Sequence, residues 1–159
     1  MTVRIVCVGK IKEKFYRDAL EELTKRISRY AAIEIIEVSE EKAPEGLSAA
    51  QKDQILLSEG ERLLAKTDER DYVTVLCIEG KKMTSEAFAA QISSAMLSGK
   101  SRLTFIIGGS FGLHASVKRR ADLMLSFSDM TFPHQLFRVM LAEQIYRAFK
   151  INNNEPYHK

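Results

Sequence analysis

The stretch Leu103-Thr-Phe-Ile-Ile-Gly-Gly-Ser-Phe-Gly-Leu113 decides the fold of this chain. Its first half is a continuous apolar run, which is typical of a strand buried on both faces of a parallel sheet. Its second half is a glycine-rich turn. The later stretch Leu125-Ser-Phe-Ser-Asp-Met-Thr-Phe-Pro-His134 again follows an apolar strand with a small polar loop. Strand ends that expose backbone and small hydroxyls predict a binding site for a small polar ligand.

On either side of these two stretches, patterns typical of strands alternate with patterns typical of helices along the whole chain. Predicted strands are Val3–Val8, Ile33–Val38, Tyr72–Ile78, Leu103–Ile107 and Leu123–Phe127. Predicted helices are Lys12–Tyr30, Ala49–Lys66, residues 84–97, Ala115–Ala121 and Pro133–Asn152. This alternation predicts a single α/β domain over residues 1–159, with a mostly parallel sheet and helices on both of its faces.

Composition narrows the class of protein. The 159 residues are 45% hydrophobic with a net charge of +3, which suits a globular core and permits contact with RNA. Cys7 and Cys77 lie in apolar runs, so we expect buried thiols rather than a disulfide. No signal peptide or membrane-spanning run is recognisable, which predicts a cytoplasmic protein. The three histidines are too widely spaced to suggest a metal site.

The last predicted helix is apolar around most of its circumference, whereas a surface helix of a monomer shows a polar half. Either the helix is buried in the core of one chain, or one side packs on the sheet and the other on a second copy. Few elements remain in so small a chain to cover both sides. We therefore expect a homodimer with this helix at its centre.

The glycine run Gly108-Gly-Ser-Phe-Gly112 matches neither of two common nucleotide-binding motifs. It lacks the Gly-Lys-Ser/Thr end of a phosphate loop, and it follows the fourth strand rather than the first. Gly9 stands alone after the first strand, which disfavours a nucleotide-dependent oxidoreductase. The run is either a structural turn or part of a crevice. Ligands bind beyond the carboxyl ends of parallel strands, and three such ends (76–78, 107–109 and 127–130) are available.

Several ordered motifs resemble the RlmH family of SPOUT-class methyltransferases. They are Val8–Lys10, Glu41–Glu45, Ile106–Leu113, Leu125–His134, Glu143–Ala148 and Pro156–Lys159. The resemblance spans the chain and implies an α/β fold with a carboxyl-terminal trefoil knot, formed as a homodimer. It also implies S-adenosylmethionine as cofactor. The implied reaction is N3-methylation of a pseudouridine in the helix 69 loop of large-subunit ribosomal RNA, within the assembled ribosome.

The resemblance also implies a cofactor site in the three strand ends. Matching positions give Leu76, Gly108, Phe127, Ser128, Asp129, Met130, Thr131 and Phe132. A glycine at 108 would let the backbone approach the ligand, and backbone groups of the second loop can hydrogen-bond it. The alternative for Ser126, Ser128 and Thr131 is ordinary turn and cap chemistry.

Methyl transfer from a sulfonium needs no metal, but it needs an aligned acceptor and a base for the proton on the acceptor nitrogen. We predict His158 as the base, since histidine titrates near neutral pH. Tyr157 is expected to stack on or hydrogen-bond the uracil ring. His134, Tyr157 and Lys159 are the other candidates for the base, although the helix dipole favours a neutral, structural His134.

Arg138 completes the predicted catalytic set. Arg138 and Arg147 are expected either to anchor phosphate or to pair with Glu143, four residues before Arg147. The tail is expected to cross to the cofactor pocket of the partner chain.

Basic side chains suggest where RNA binds. They are Lys10, Lys12, Lys14, Arg17, Lys81, Lys82, Lys118, Arg119 and Arg120. Each group alone is typical of a solvated face, but together in a dimer they would form a phosphate-binding surface. The alternative function is a non-catalytic ribosome-binding protein that keeps a vestigial cofactor pocket.

Overall fold

The computed structural model describes residues 1–157, which alternate between strands and helices. The strands are β1 (Thr2–Val8), β2 (Ala32–Val38), β3 (Asp71–Lys82), β4 (Arg102–Ile107) and β5 (Leu123–Ser126). The helices are α1 (Lys14–Ile27), α2 (Ala49–Leu64), α3 (Ser85–Leu97), α4 (Ala115–Arg120) and α5 (His134–Asn152). Each predicted element is present, with ends that shift by a few residues.

The strands form one five-stranded sheet in the order β2-β1-β4-β3-β5, and every adjacent pair is parallel. The predicted α/β class and parallel sheet are therefore confirmed. Because the strands are parallel, their carboxyl ends all lie along one edge of the sheet. The ends of β4, β3 and β5 are neighbours along that edge, and this order positions the site described below.

Apolar side chains form a core on each face of the sheet, as predicted. The larger core joins α1, α3 and α5 to the sheet, and its strand contribution includes Val3, Ile5 and Phe105. The smaller core joins α2 and α4 to the other face, with Val6, Val8, Val73, Val75, Ile106, Leu63 and Val117. Neighbouring residues of β1 fall in opposite cores because side chains alternate along a strand.

The amino-terminal edge of the sheet is tied by a buried carboxylate. Asp71 begins β3 and is fully buried. Its side chain accepts hydrogen bonds from Thr104 Oγ1 at 2.9 Å and from Arg102 Nη2 at 3.0 Å. It also accepts one from the backbone N–H of Asp68 at 3.0 Å. Buried carboxylates are stable only with such partners, and these fix the register of β3 beside β4.

Strand β3 differs from the sequence expectation because it continues through Glu79-Gly-Lys-Lys82. It pairs with β5 twice: Leu125 lies opposite Leu76 and again opposite Lys81, with residues 77–80 bulging between. A Cβ on Gly80 would lie 2.6 Å from the backbone carbonyl carbon of Leu125. The glycine therefore lets two backbones touch where the strand returns.

Two helices depart slightly from their predicted form. Pro133 is the N-cap of α5 rather than its first residue, and the helix begins at His134. Phe15 shares the helical apolar spacing of Leu20 and Ile27 in the sequence, yet its side chain is 63% exposed. The reason is that α1 packs on α5 through its second half, where Leu20 and Ile27 are buried.

We predict that Gly80→Ala destabilises the protein by about 1–3 kcal/mol, because the added methyl group meets fixed backbone rather than a movable side chain. Gly109→Ala is the matched control, since its Cβ would lie 3.1 Å from the side chain of Val8. Urea unfolding of both variants measures the difference. Equal midpoints for Gly80→Ala and the unchanged protein would contradict the close contact.

Candidate functional site

One crevice lies beyond the carboxyl ends of β3, β4 and β5, with a volume of about 920 Å³. Its walls come from three segments that are distant in sequence, namely residues 76–79, 107–113 and 126–134. Leu56 of α2, Lys118 of α4 and Phe137 of α5 complete the lining. The expected convergence of three strand ends on one crevice is thus observed.

The crevice brings together seven of the eight residues predicted to bind a cofactor. They are Leu76, Gly108, Phe127, Ser128, Met130, Thr131 and Phe132. Asp129 is the exception, because its side chain is 79% exposed and forms an ion pair with Lys82 at 2.5 Å. Its carboxylate ties the loop to the end of β3 instead of lining the crevice.

The glycine run after β4 folds tightly on itself. A Cβ on Gly108 would lie 2.5 Å from the carbonyl oxygen of Gly112, so this position needs glycine for the turn itself. Gly112 has a φ of +88°, and its N–H donates to the carbonyl of Gly109 at 3.1 Å. The two alternatives for the glycine run are therefore both correct. The run is a structural turn, and the same turn forms one wall of the crevice.

The loop after β5 is shaped by its own hydroxyl groups. Ser126 Oγ donates to the carbonyl of Ser128 at 3.1 Å, and Ser128 Oγ accepts from the N–H of Met130 at 3.0 Å. These two hydroxyls thus make ordinary turn contacts, and both serines also line the crevice. Met130 is 73% exposed at the rim, where an apolar side chain is free to cover a bound ligand.

Aromatic rings support the loop from the side of α5. The Phe127 and Phe137 centroids are 4.9 Å apart, and Phe132 stacks on Phe137 at 6.2 Å. His134 also lines the crevice, and burial lowers its pKa, with the positive charge of Arg138 acting in the same direction. A neutral imidazole therefore faces the crevice near pH 7, as the helix start suggested.

Sequence reasoning missed the part of the lining that comes from the β3 bulge. Cys77, Ile78 and Glu79 face the crevice, and Glu79 pairs with Lys118 at its border. Cys77 is half-buried rather than buried, and burial raises its pKa, so it remains a thiol. The change from apolar residues to Glu79-Gly80 is typical of a strand's end, so the sequence carries no local signal for this part of the lining.

Arg138 takes a different place from the one expected. Its guanidinium is fully buried and donates to the carbonyls of Val8 and Gly9 at 2.8 and 2.9 Å. It also pairs with Glu37 at 3.1 Å. The expected phosphate contact is therefore corrected to a structural one, because an RNA phosphate cannot reach a buried group. Arg138 ties the first turn of α5 to the ends of β1 and β2.

Cys7, on the same strand as Val8, is buried as predicted. Burial raises the pKa of its thiol to about 12, so it is inert at neutral pH.

The last described residue, Tyr157, lies beside α5. Tyr157 Oη donates to Glu143 Oε1 at 3.2 Å, and its ring lies 4.7 Å from the guanidinium carbon of Arg147. The predicted pair of Glu143 and Arg147 is confirmed at 2.6 Å. The predicted base His158 and its alternative Lys159 lie outside the described residues.

Comparison with known proteins identifies the family. A family model described as a predicted SPOUT methyltransferase matches residues 1–158. Proteins named ribosomal RNA large subunit methyltransferase H match over the full length of both chains. Their identities are 55% for Bifidobacterium animalis subsp. lactis, 52% for Leuconostoc citreum and 52% for Streptococcus pneumoniae. This chain belongs to the RlmH family of SPOUT methyltransferases.

Solved structures share the fold at low sequence identity. A probable methylase family protein from Haemophilus influenzae gives a TM-score of 0.53 at 12% identity, covering 99% of this chain and 70% of that one. A tRNA (m1G37) methyltransferase from Aquifex aeolicus gives 0.54 at 13%, covering 92% and 70%. Over residues 1–157, no helix is long and apolar enough for a membrane span. The same part of the chain holds no His, Cys, Asp and Glu group suited to a metal.

We predict that Arg138→Met lowers the free energy of unfolding by about 2–4 kcal/mol, because it leaves two strand-end carbonyls without a donor. Glu37→Gln is the control, since an amide still accepts from the guanidinium, and its loss should stay within about 1 kcal/mol. Chemical unfolding of both variants tests this. Equal stabilities would show that Arg138 does not hold the strand ends.

Proposed function

We propose that this protein transfers a methyl group from S-adenosylmethionine to N3 of a pseudouridine in the helix 69 loop of large-subunit ribosomal RNA, within the assembled ribosome. The observation that carries the proposal is the crevice at the ends of β3, β4 and β5. It gathers the predicted cofactor loops in a chain whose full-length relatives carry the name of a ribosomal RNA methyltransferase.

The crevice fits the proposed cofactor in shape and chemistry. Its volume of about 920 Å³ accommodates a nucleoside with an amino-acid arm. Leu76 and Met130 supply apolar walls, and Phe127–Phe132 supplies backbone groups for the polar atoms. The turn at Gly108 keeps the wall after β4 free of side-chain bulk. When bound, S-adenosylmethionine supplies an electrophilic methyl group on a sulfonium.

Residues of the chain would contribute alignment and proton removal. The glycine turn and the loop after β5 hold the donor side, so the acceptor nitrogen must enter from the rim, where Met130 is exposed. The N3 proton of the base needs an acceptor, and a histidine is the best suited near neutral pH. His134, in the crevice, and His158, at the chain's end, are the two histidine candidates.

A second copy of the chain would complete the site. An apolar groove of about 560 Å³ lies along α5 between α1 and α3. Its lining includes Leu23, Met83, Val139 and Met140. Because α5 already packs on the sheet, an apolar groove along it offers a surface on which a second chain could pack. The groove therefore supports the proposed homodimer. The double pairing of Leu125 with β3 supports the knotted path that the family resemblance implies.

The position of the tail supports a role across the dimer. Tyr157 contacts Glu143, and Glu143 lines the groove rather than the crevice. In the proposed dimer the groove faces the partner chain. The end of one chain would therefore approach the crevice of the other, with Tyr157 against the uracil and His158 near its N3.

Basic residues near α1 would contact the RNA backbone. The backbone N–H groups of Lys12 and Glu13 donate to Gln135 Oε1 at 2.9 and 3.4 Å. Gln135 follows His134 in α5, so this basic segment lies beside the crevice. Other basic groups are engaged within the protein, as in the pairs of Lys118 with Glu79 and Lys82 with Asp129.

We predict a dimer in sedimentation at micromolar concentration. Met140→Glu should shift it to monomer, because the new charge would be buried in the proposed interface. Ser94→Glu, on the exposed side of α3, is the matched control and should remain dimeric. A monomer for the unchanged protein would refute the homodimer.

We predict that deleting Pro156–Lys159 lowers methyl transfer to intact ribosomes by at least about 100-fold, since loss of a positioned base costs about 10²–10⁴ in rate. The affinity for S-adenosylhomocysteine should change by less than about threefold, because the crevice is intact. Full activity in the truncated protein would refute the role of the tail.

Mass spectrometry of ribosomal RNA from cells with and without the protein tests the nucleotide. The proposal expects one missing methyl group in the helix 69 loop. Ribosome binding by the intact protein without any methyl transfer would instead support a non-catalytic ribosome-binding protein.

A further inference from the structure

The carboxylate of Glu155, near the chain's end, is held by two side chains. Both carboxylate oxygens of Glu155 lie within hydrogen-bond distance of Tyr30 Oη, at 3.0 and 2.9 Å. Lys150 Nζ pairs with the same carboxylate at 2.5 Å. The backbone N–H of Glu155 also donates to the carbonyl of Lys150 at 2.9 Å. We refer to Tyr30, Lys150 and Glu155 together as the tail anchor.

The tyrosine of the tail anchor packs against buried aromatic side chains. The ring of Tyr30 stacks on Phe149 with centroids 5.5 Å apart and planes 3° apart, and it also meets Tyr146 at 6.2 Å. Phe149 and Tyr146 are buried residues of α5. The phenol that donates to Glu155 is thus fixed between α1 and α5, so it cannot follow the tail if the tail moves.

A sharp reversal brings the chain to this anchor. Asn154 has a φ of +54°, a left-handed conformation that asparagine tolerates better than most residues. Asn153 Nδ2 donates to the carbonyl of Phe149 at 2.8 Å, and the backbone N–H of Asn153 donates to it at 3.0 Å. The chain therefore turns back over the last turn of α5 immediately before Glu155.

Beyond the anchor, the tail runs back along α5. Tyr157 lies beside Glu143 and Arg147, and its ring meets Tyr146 edge-on at 5.0 Å. Glu155 and Tyr157 are therefore two fixed points that direct the chain toward the groove. A chain end held only at Tyr157 would be free to swing about that one contact.

We propose that the tail anchor positions the chain's end for methyl transfer, so that Tyr30, Lys150 and Glu155 act through the tail without touching RNA or cofactor. This inference rests on the proposed function of the tail. The ion pair of Lys150 and Glu155 is partly exposed, with side-chain accessibilities of 17% and 38%, and ion pairs near the surface contribute only weakly to global stability. Loss of the anchor should therefore reduce turnover far more than it reduces stability or cofactor binding.

The experiment compares Glu155→Ala, Tyr30→Phe and the double variant with the unchanged full-length protein. Glu34→Ala is the matched control, because it removes a half-exposed carboxylate from its ion pair with Arg4, on the face of the sheet opposite α5. Turnover on intact ribosomes, the affinity for S-adenosylhomocysteine and the melting temperature are measured for each. Hydrogen exchange of the carboxyl-terminal peptide reports whether the tail is released.

We expect about tenfold lower kcat for each single variant, cofactor affinity within twofold, and faster exchange at the tail. The double variant should be no slower than the worse single variant, because both substitutions break the same contact. Glu34→Ala should match the unchanged protein in turnover, cofactor affinity and exchange at the tail. A tenfold loss in Lys150→Gln would support the same anchor from its third member.

Two outcomes separate the anchor from the proposed function. If the unchanged protein transfers no methyl group to ribosomes, the proposed function fails. If it is active and Glu155→Ala and Tyr30→Phe both keep its kcat, the anchor is refuted while the function stands. Loss of turnover that follows melting temperature across all variants would also refute the anchor, since it would show a purely structural role.

Discussion

The site depends on the double pairing between β3 and β5. Leu125 lies opposite Leu76 and again opposite Lys81, so one residue of β5 is held at two points of the same strand. Residues 77–80 must bulge between those points, and the bulge becomes one wall of the crevice. Gly80 permits this because its backbone touches that of Leu125. A larger residue there would separate the strands and open the crevice from below.

Arg138 joins α5, which follows the crevice loop, to the ends of β1 and β2. The loop after β5 leads directly into α5, and Arg138 in the first turns of α5 donates to the strand-end carbonyls of Val8 and Gly9. A buried guanidinium is costly unless its donors are satisfied. Within residues 1–157, its Nε has no acceptor. By donating to two strand-end carbonyls, Arg138 both stabilises this junction and fixes the orientation of α5.

Much of the fold could be predicted from local pattern. Apolar runs such as Leu103–Ile107 identified the strands, and Thr84 caps α3 as its side chain suggested. Convergence of the two loops followed from the rule that ligands bind at strand ends. The continuation of β3 through Lys82 could not be predicted, because Glu79-Gly-Lys-Lys82 has the composition of a loop. Only pairing with β5, a contact across more than 40 residues, makes it a strand.

The same limit applies to single side chains. Arg138 reads as a surface residue because arginine usually is one, and its partners Val8 and Glu37 are about a hundred residues or more away in sequence. Phe15 matched the apolar spacing of α1 but lies beyond the part of the helix that packs on α5. Spacing predicts which residues share a face, whereas burial depends on which neighbours the fold supplies.

Tyr157 and His134 differ in their ability to remove a proton, which the proposed reaction needs. Burial raises the pKa of the Tyr157 phenol, and the charge of Glu143 raises it further. Tyr157 therefore stays protonated near neutral pH and suits stacking or donation rather than proton removal. Burial and the charge of Arg138 lower the pKa of His134, which leaves its imidazole neutral and able to accept a proton. Because Arg138 is held by its bonds to the carbonyls of Val8 and Gly9, the group that fixes the orientation of α5 also adds to the effect of burial in lowering the pKa of His134.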